Sequence, residues 1–339
     1  MNIKEKDIKK FITLFLEKLN VERKDSKIIS NHLVNADMSG HFSHGVNRIF
    51  QYEKAIKKKI ISVNAKIKIL RQDNFVKVDG GFNFGQLVMN KVCNYIKVKK
   101  NINFISITNS AHIGRLSDYL EKLSSKGYVS LFFVSGGGPN VAPFPIRNRL
   151  IGTNPFAFSI PIDKKNIFVV DFSSSTIAEG KINIAMKYKK KLTEFAIINN
   201  LGNYSKNPKD LYNGGAITPF GGHKGSAFSL VVEILSGLLI SNNVSFKKKY
   251  RDANNCFLII FKKKILANNL QFKNQINLFL KKIKLGKKIK NYKKKIYFPG
   301  ELEKEKYIKS KKSGINYNNK LIKNLLNLAR DKYNLNYNF

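Results

Sequence analysis

Through the middle of this chain, short apolar runs alternate with stretches of helical periodicity, and a turn rich in Gly, Ser or Pro sits at each junction. Residues 103–108 read as a strand that ends in Asn109-Ser110-Ala111-His112-Ile113-Gly114, and a helix is predicted from about Arg115 to Lys126. Residues 128–134 read as the next strand and run into Ser135-Gly136-Gly137-Gly138-Pro139. Two more strands follow, one through Ile160 and one over 167–170 ending at Asp171; Ser173-Ser174-Ser175 then feeds a helix near 176–186. A second Gly-rich loop, 214–225, delivers an apolar helix over 226–240, and 256–261 is a further strand. Alternation of this kind specifies an α/β fold.

Helical segments flank that region. Ile8, Phe11, Ile12, Phe15, Leu16 and Leu19 recur at helical spacing, and Asp25 and Ser26 are placed to cap a second helix ending near Met38. Residues 66–70 and 75–78 form a predicted hairpin about Gln72-Asp73-Asn74, and a helix is expected from Gln86 to about Val98. Beyond the α/β region come a basic helix over 270–283, a break at Pro299-Gly300-Glu301 and a last amphipathic helix over 318–332. No apolar run reaches the roughly 18 residues of a bilayer span, the longest being broken by Glu233, so no membrane is expected. Cys93 and Cys256 form no CxxC pair, which argues against a disulfide framework or a metal site and fits a reducing cytoplasm.

Lys and Arg total 62 against 22 acids, a formal charge of +40. Such a field attracts nucleic acid. The lysines, however, are dispersed from Lys4 to Lys332 among many Asn and Ile residues, and no nucleic-acid module accompanies them. The charge therefore reads as compositional background, with no specific nucleic acid as partner.

The stretch Ser39–Tyr52 carries the first chemistry. If Ser43 caps a helix, His44, Arg48 and Tyr52 stack on one face at i, i+4 and i+8. An imidazole, a fixed cation and a phenol suit a small oxo or hydroxy acid, which needs a proton donor and a guanidinium for its carboxylate. The same spacing equally describes a polar solvent face. Three turns, at His112-Ile113-Gly114, Asp171–Ser175 and Gly221-Gly222-His223-Lys224-Gly225, lead helices and offer free amides to a phosphate-bearing ligand, or else are plain tight connections. No GxGxxG follows the first strand, so the standard dinucleotide fingerprint is absent.

Taken together, SGHFSHGVNR, NSAHIGRLSDY, GTNP, DFSSSTIAEGK, GGHKG and PGE, in this order, resemble the malate/L-lactate dehydrogenase type 2 family over nearly the whole chain. The resemblance implies a non-Rossmann α/β fold: a mixed-sheet cofactor domain flanked by a helical domain built from the N- and C-terminal segments. It divides the chain at 1–110, 111–265 and 266–339, and it implies a homodimer using NAD or NADP. By the same resemblance His112 and His44 are catalytic, with His112 preferred as the acid/base. Ser43, Arg48 and Tyr52 fall on the substrate side. Gly114, Arg115, Leu116, Asp171, Phe172, Ser173, Lys224, Asn254, Pro299, Gly300 and Glu301 match cofactor contacts. The expected activity is interconversion of a 2-oxo acid and a 2-hydroxy acid. A cyclic imine reductase of the same family, an inactive relative and a basic nucleic-acid-binding protein are the alternatives.

Overall fold

Runs rich in Ile, Val and Phe assemble into one seven-stranded sheet in a computed structural model of the protein, which describes residues 1–96, 101–164, 166–247 and 253–339. Its strands are β1 (Lys68–Gln72), β2 (Phe75–Asp79), β3 (Ile102–Ser110), β4 (Tyr128–Gly136), β5 (Pro155–Pro161), β6 (Ile167–Ser173) and β7 (Asn254–Lys262). They lie in the order β1-β2-β3-β7-β4-β5-β6. Only β2 and β3 run parallel; every other neighbouring pair is antiparallel. The sheet is mixed, as expected, and it lacks the parallel order of a doubly wound dinucleotide fold. The last of these seven strands in sequence, β7, is inserted at the centre between β3 and β4, where Cys256, Leu258 and Ile260 are fully buried.

The two ends of the chain share a second core. Helices α1 (Glu5–Lys18) and α2 (Arg23–Met38) bury Ile8, Phe11, Phe15 and Leu33 against Ile322 and Leu325 of a C-terminal helix, Asn319–Tyr333. Asn2–Ile3 pairs antiparallel with Ile315–Asn316, and the Phe11 ring sits 5.2 Å from Tyr337 and 5.3 Å from Phe339.

Several local expectations need correction. Helix α2 starts at Arg23 with Glu22 at its N-cap, so Asp25 and Ser26 do not cap it; the Ser26 hydroxyl donates back to the Val21 carbonyl instead. The helix expected near 176 begins at Glu179, because the Ser175 and Thr176 hydroxyls bond to Ile177 and Thr218 and hold the preceding residues in a loop. The helix expected from Gln86 spans Gly85–Tyr95, and Val98 lies outside the described residues. An unforeseen helix, Glu301–Ser313, follows Pro299-Gly300; it buries no residue and so leaves no apolar stripe in the sequence. The apolar helix His223–Ser241 is 19 residues, long and apolar enough by length and composition to cross a membrane. Its Glu233, however, is buried and accepts hydrogen bonds from Asn154 and Ser245 within the fold.

Candidate functional site

Ser43 does not start a helix. A 3-10 turn over Val46–Arg48 leads into α3 (Ile49–Lys57), so His44, Arg48 and Tyr52 do not ride one helical face. The cap is supplied from a distance: buried Asp37 of α2 accepts the Val46 amide at 2.9 Å and the Tyr317 hydroxyl at 2.9 Å. Burial pushes the Asp37 carboxyl up to about 8 against the pull of those two donors. Gly45 permits this contact, since a Cβ there would fall 1.6 Å from Asp37 Oδ1.

The three residues nevertheless meet around His112. The rings of His44 and His112 lie nearly parallel, 5.6 Å apart at 3°. The Tyr52 hydroxyl sits 2.9 Å from His112 Nδ1 and accepts a 2.7 Å hydrogen bond from Gln86 Nε2. Both imidazoles are held well below their ordinary pKa, by burial first and then by the Arg48 charge, so both are neutral at pH 7. Burial likewise lifts the Tyr52 phenol to about 12, opposed by Arg48 and by the Gln86 hydrogen bond. Arg48 is fixed by its Nε bond to the Ser43 carbonyl, at 2.6 Å, and by Gln51.

The turn carrying His112 is clamped from three sides. Gly114, at φ +86°, lies so close to His32 that a Cβ would fall 2.2 Å from its Nε2. That same nitrogen accepts the Arg115 amide at 3.0 Å, and the Ile113 amide goes to Asn254 Oδ1 at 3.0 Å. The Arg115 guanidinium is buried and paired with Asp118 and Glu121, at 3.2 and 2.9 Å. Leu116 is buried just before the helix Ser117–Ser125, whose first amide and hydroxyl both donate to Asp171 Oδ2 at 2.9 Å. The Phe172 ring stacks on Phe228 and meets Phe220 edge-on.

These elements enclose a cavity of about 570 Å³. Of the residues singled out in the sequence, Ser43, His44, Arg48, His112, Gly114, Arg115, Leu116, Asp171, Phe172, Ser173 and Asn254 line it. Tyr52 lines an adjoining cavity of about 460 Å³ that also takes in Arg48 and His112. Lys224, Pro299, Gly300 and Glu301 lie outside both linings. Lys224 is exposed at the start of its helix, and Glu301 is bonded to Lys284 and to the Phe298 amide. Glu303, not Glu301, approaches the cavity by pairing with His41 at 3.6 Å. Sequence reasoning missed His32, Asp37 and Gln86; each is a polar residue inside an apolar helix pattern, a signal that marks burial but not purpose. Among the described residues no group of three His, Cys, Asp or Glu is placed to hold a metal ion.

A family model described as malate/L-lactate dehydrogenase matches residues 3–326. The chain belongs to the malate/L-lactate dehydrogenase family. The malate/(S)-sulfolactate dehydrogenase of Methanothermus fervidus is 30% identical over 345 residues, covering 99% of each chain. The solved malate dehydrogenase of Pyrococcus horikoshii superposes with a TM-score of 0.87 at 27% identity, over 99% of this chain and 96% of that one. A delta(1)-pyrroline-2-carboxylate/delta(1)-piperideine-2-carboxylate reductase of Pseudomonas putida is 30% identical over 226 residues, 66% of each chain. As a member of the malate/L-lactate dehydrogenase family, the protein is an oxidoreductase.

Proposed function

We propose that the protein interconverts a small 2-oxo acid and its 2-hydroxy acid with NAD or NADP, His112 giving or taking the proton. The observation that carries this reading is the neutral His112 ring, bonded at Nδ1 by Tyr52 and facing the same cavity as Arg48. A nicotinamide cofactor fits the larger cavity on two counts. Phe172, 40% exposed, and Phe220 give it an apolar wall, and Gly137 leaves a stretch of backbone where an added Cβ would meet nothing within 4 Å. Gly114, Ser173 and Asn254 on the same lining would hold the cofactor together with Asp171. When bound, the reduced cofactor supplies hydride to the carbonyl carbon.

Arg48 holds the substrate carboxylate. Its Nη2 lies beside Gly180, where a Cβ would come within 3.0 Å, so the missing side chain keeps space beside the guanidinium. His112 donates its proton to the carbonyl oxygen as charge develops there. His44, stacked on the other ring, shields one face of His112 and helps hold it neutral. A homodimer is supported by the outer face of the His223–Ser241 helix, where Leu230, Val231, Ile234, Leu238 and Leu239 stand 42–68% exposed.

Reduction of a cyclic imino acid is the second reading, favoured by the similarity to the Pseudomonas putida reductase. One absorbance screen at the nicotinamide band separates the two, using 2-oxo acids and cyclic imino acids with each reduced cofactor. Turnover of a 2-oxo acid is expected; oxidation of neither cofactor by either class would overturn both readings.

A further inference from the structure

We infer that Gln86, acting through Tyr52, sets which nitrogen of neutral His112 carries the proton, and so acts as a positioning residue for proton transfer. The inference rests on the acid/base role proposed for His112. Helix Gly85–Tyr95 reaches the site only because its first residue has no side chain: a Cβ on Gly85 would fall 2.6 Å from both the His112 carbonyl oxygen and Ile113 Cα. That close approach delivers Gln86, 1% exposed, to the Tyr52 hydroxyl at 2.7 Å. Tyr52, equally buried, is packed edge-on against Phe84 with the ring centroids 5.5 Å apart and keeps its oxygen 2.9 Å from His112 Nδ1.

The chain of donors then has one direction. Gln86 N–H donates to the Tyr52 oxygen, so the Tyr52 proton turns to Nδ1, and His112 keeps its own proton on Nε2. Among the described residues Tyr52 is the partner of the Gln86 side chain, through Nε2, and Oε1 is buried without one. In reduction the Nε2 proton would pass to the carbonyl oxygen as the bound reduced cofactor supplied hydride to the carbonyl carbon. The Tyr52 proton moves to Nδ1, the imidazole stays neutral, and the phenolate left behind is held by the Gln86 N–H until water reprotonates it. Arg48, His44 and His32 are the other charged or titratable groups that act on the His112 ring, and the bond to Nδ1 is Tyr52's.

A carboxylate in place of the carboxamide reverses the chain. In Gln86→Glu the Tyr52 hydroxyl donates to the new side chain, Nδ1–H donates to Tyr52, and Nε2 is left bare. Imidazole ¹⁵N NMR of the full chain reads this directly, with His112 assigned by the missing signal in His112→Gln. Wild type should show the proton on Nε2 and Gln86→Glu on Nδ1. The variant's kcat for the best 2-oxo acid should fall about ten- to a hundredfold, with KM and cofactor binding nearly unchanged. Should Gln86→Glu fail to fold, Gln86→Leu should instead show both tautomers. An unchanged tautomer in the variants, or a wild-type proton on Nδ1, overturns the inference. The NMR result needs no turnover, so a failure of the proposed function in the substrate screen is read separately.

Discussion

Two glycine-bounded turns, each with a histidine, lead into helices and read alike as sequence, yet the fold treats them oppositely. At His112-Ile113-Gly114 the protein fills the space itself: His32 packs on Gly114, and Asn254 and His32 take the two amides. At Gly221-Gly222-His223-Lys224-Gly225 the first two glycines, at φ +57° and +62°, face open surroundings: a Cβ on Gly221 would meet nothing within 4 Å and one on Gly222 only the Phe144 ring edge at 3.9 Å, whereas Gly225 packs on the Phe220 carbonyl. Glycine at positive φ thus announces only that a side chain is unwelcome. Whether the excluded partner is the protein's own packing or a ligand is decided by residues far away in sequence. A preorganised turn suits proton transfer, which tolerates little misplacement, and an open one suits a cofactor's flexible phosphates.

The largest contrast is expected in catalysis. His112→Ala should lower kcat by about 10²- to 10⁴-fold with cofactor affinity little changed. His223→Ala, in the open turn, should change kcat by less than about threefold, as a surface substitution does. Near wild-type turnover in the first variant would transfer the proton-donor role to His44.

Stability gives the next contrast. Gly114→Ala forces a methyl against His32, which is buried, paired with Asp118 and already bonded to the Arg115 amide, so a loss of about 2–4 kcal/mol is expected. Gly221→Ala meets only left-handed backbone strain, about 1–2 kcal/mol. Chemical denaturation of the two variants measures both; equal losses would mean that the two turns are equally packed.

Legibility in the sequence followed the same division. The alternation of strand and helix and the strand that ends before His112 were readable because apolar periodicity reports burial directly, whereas the pairing of the chain ends was implied by the family resemblance alone. The Ser43 helix was misread because its cap, Asp37, approaches from another helix and leaves no trace in local spacing. Arg115 illustrates a different loss. It stands on the cavity wall, but its guanidinium is committed to Asp118 and Glu121, partners that sequence order does not single out. Gln86 reads as an ordinary helix start, since a buried amide and a surface amide look the same in one sequence.

The smallest expected effect concerns Lys224. No hydrogen bond or ion pair to its ammonium is recorded among the described residues, and it stands exposed at the first turn of a long helix that begins three residues after Phe220, which lines the cavity. The helix N-terminus and the free glycine amides already favour an anion there, and Lys224 adds a mobile charge to them. An exposed ammonium–phosphate contact is worth about 0.5–1 kcal/mol. Lys224→Ala should therefore raise the KM for reduced cofactor about two- to fivefold at low salt, leave kcat unchanged, and differ less from wild type as salt rises and the Debye length shortens. Lys224→Arg, which keeps the charge, should restore the KM. A KM that is the same in Lys224→Ala and wild type at both low and physiological salt would show that the open turn holds no phosphate, and that its glycines serve only to join the loop to the helix.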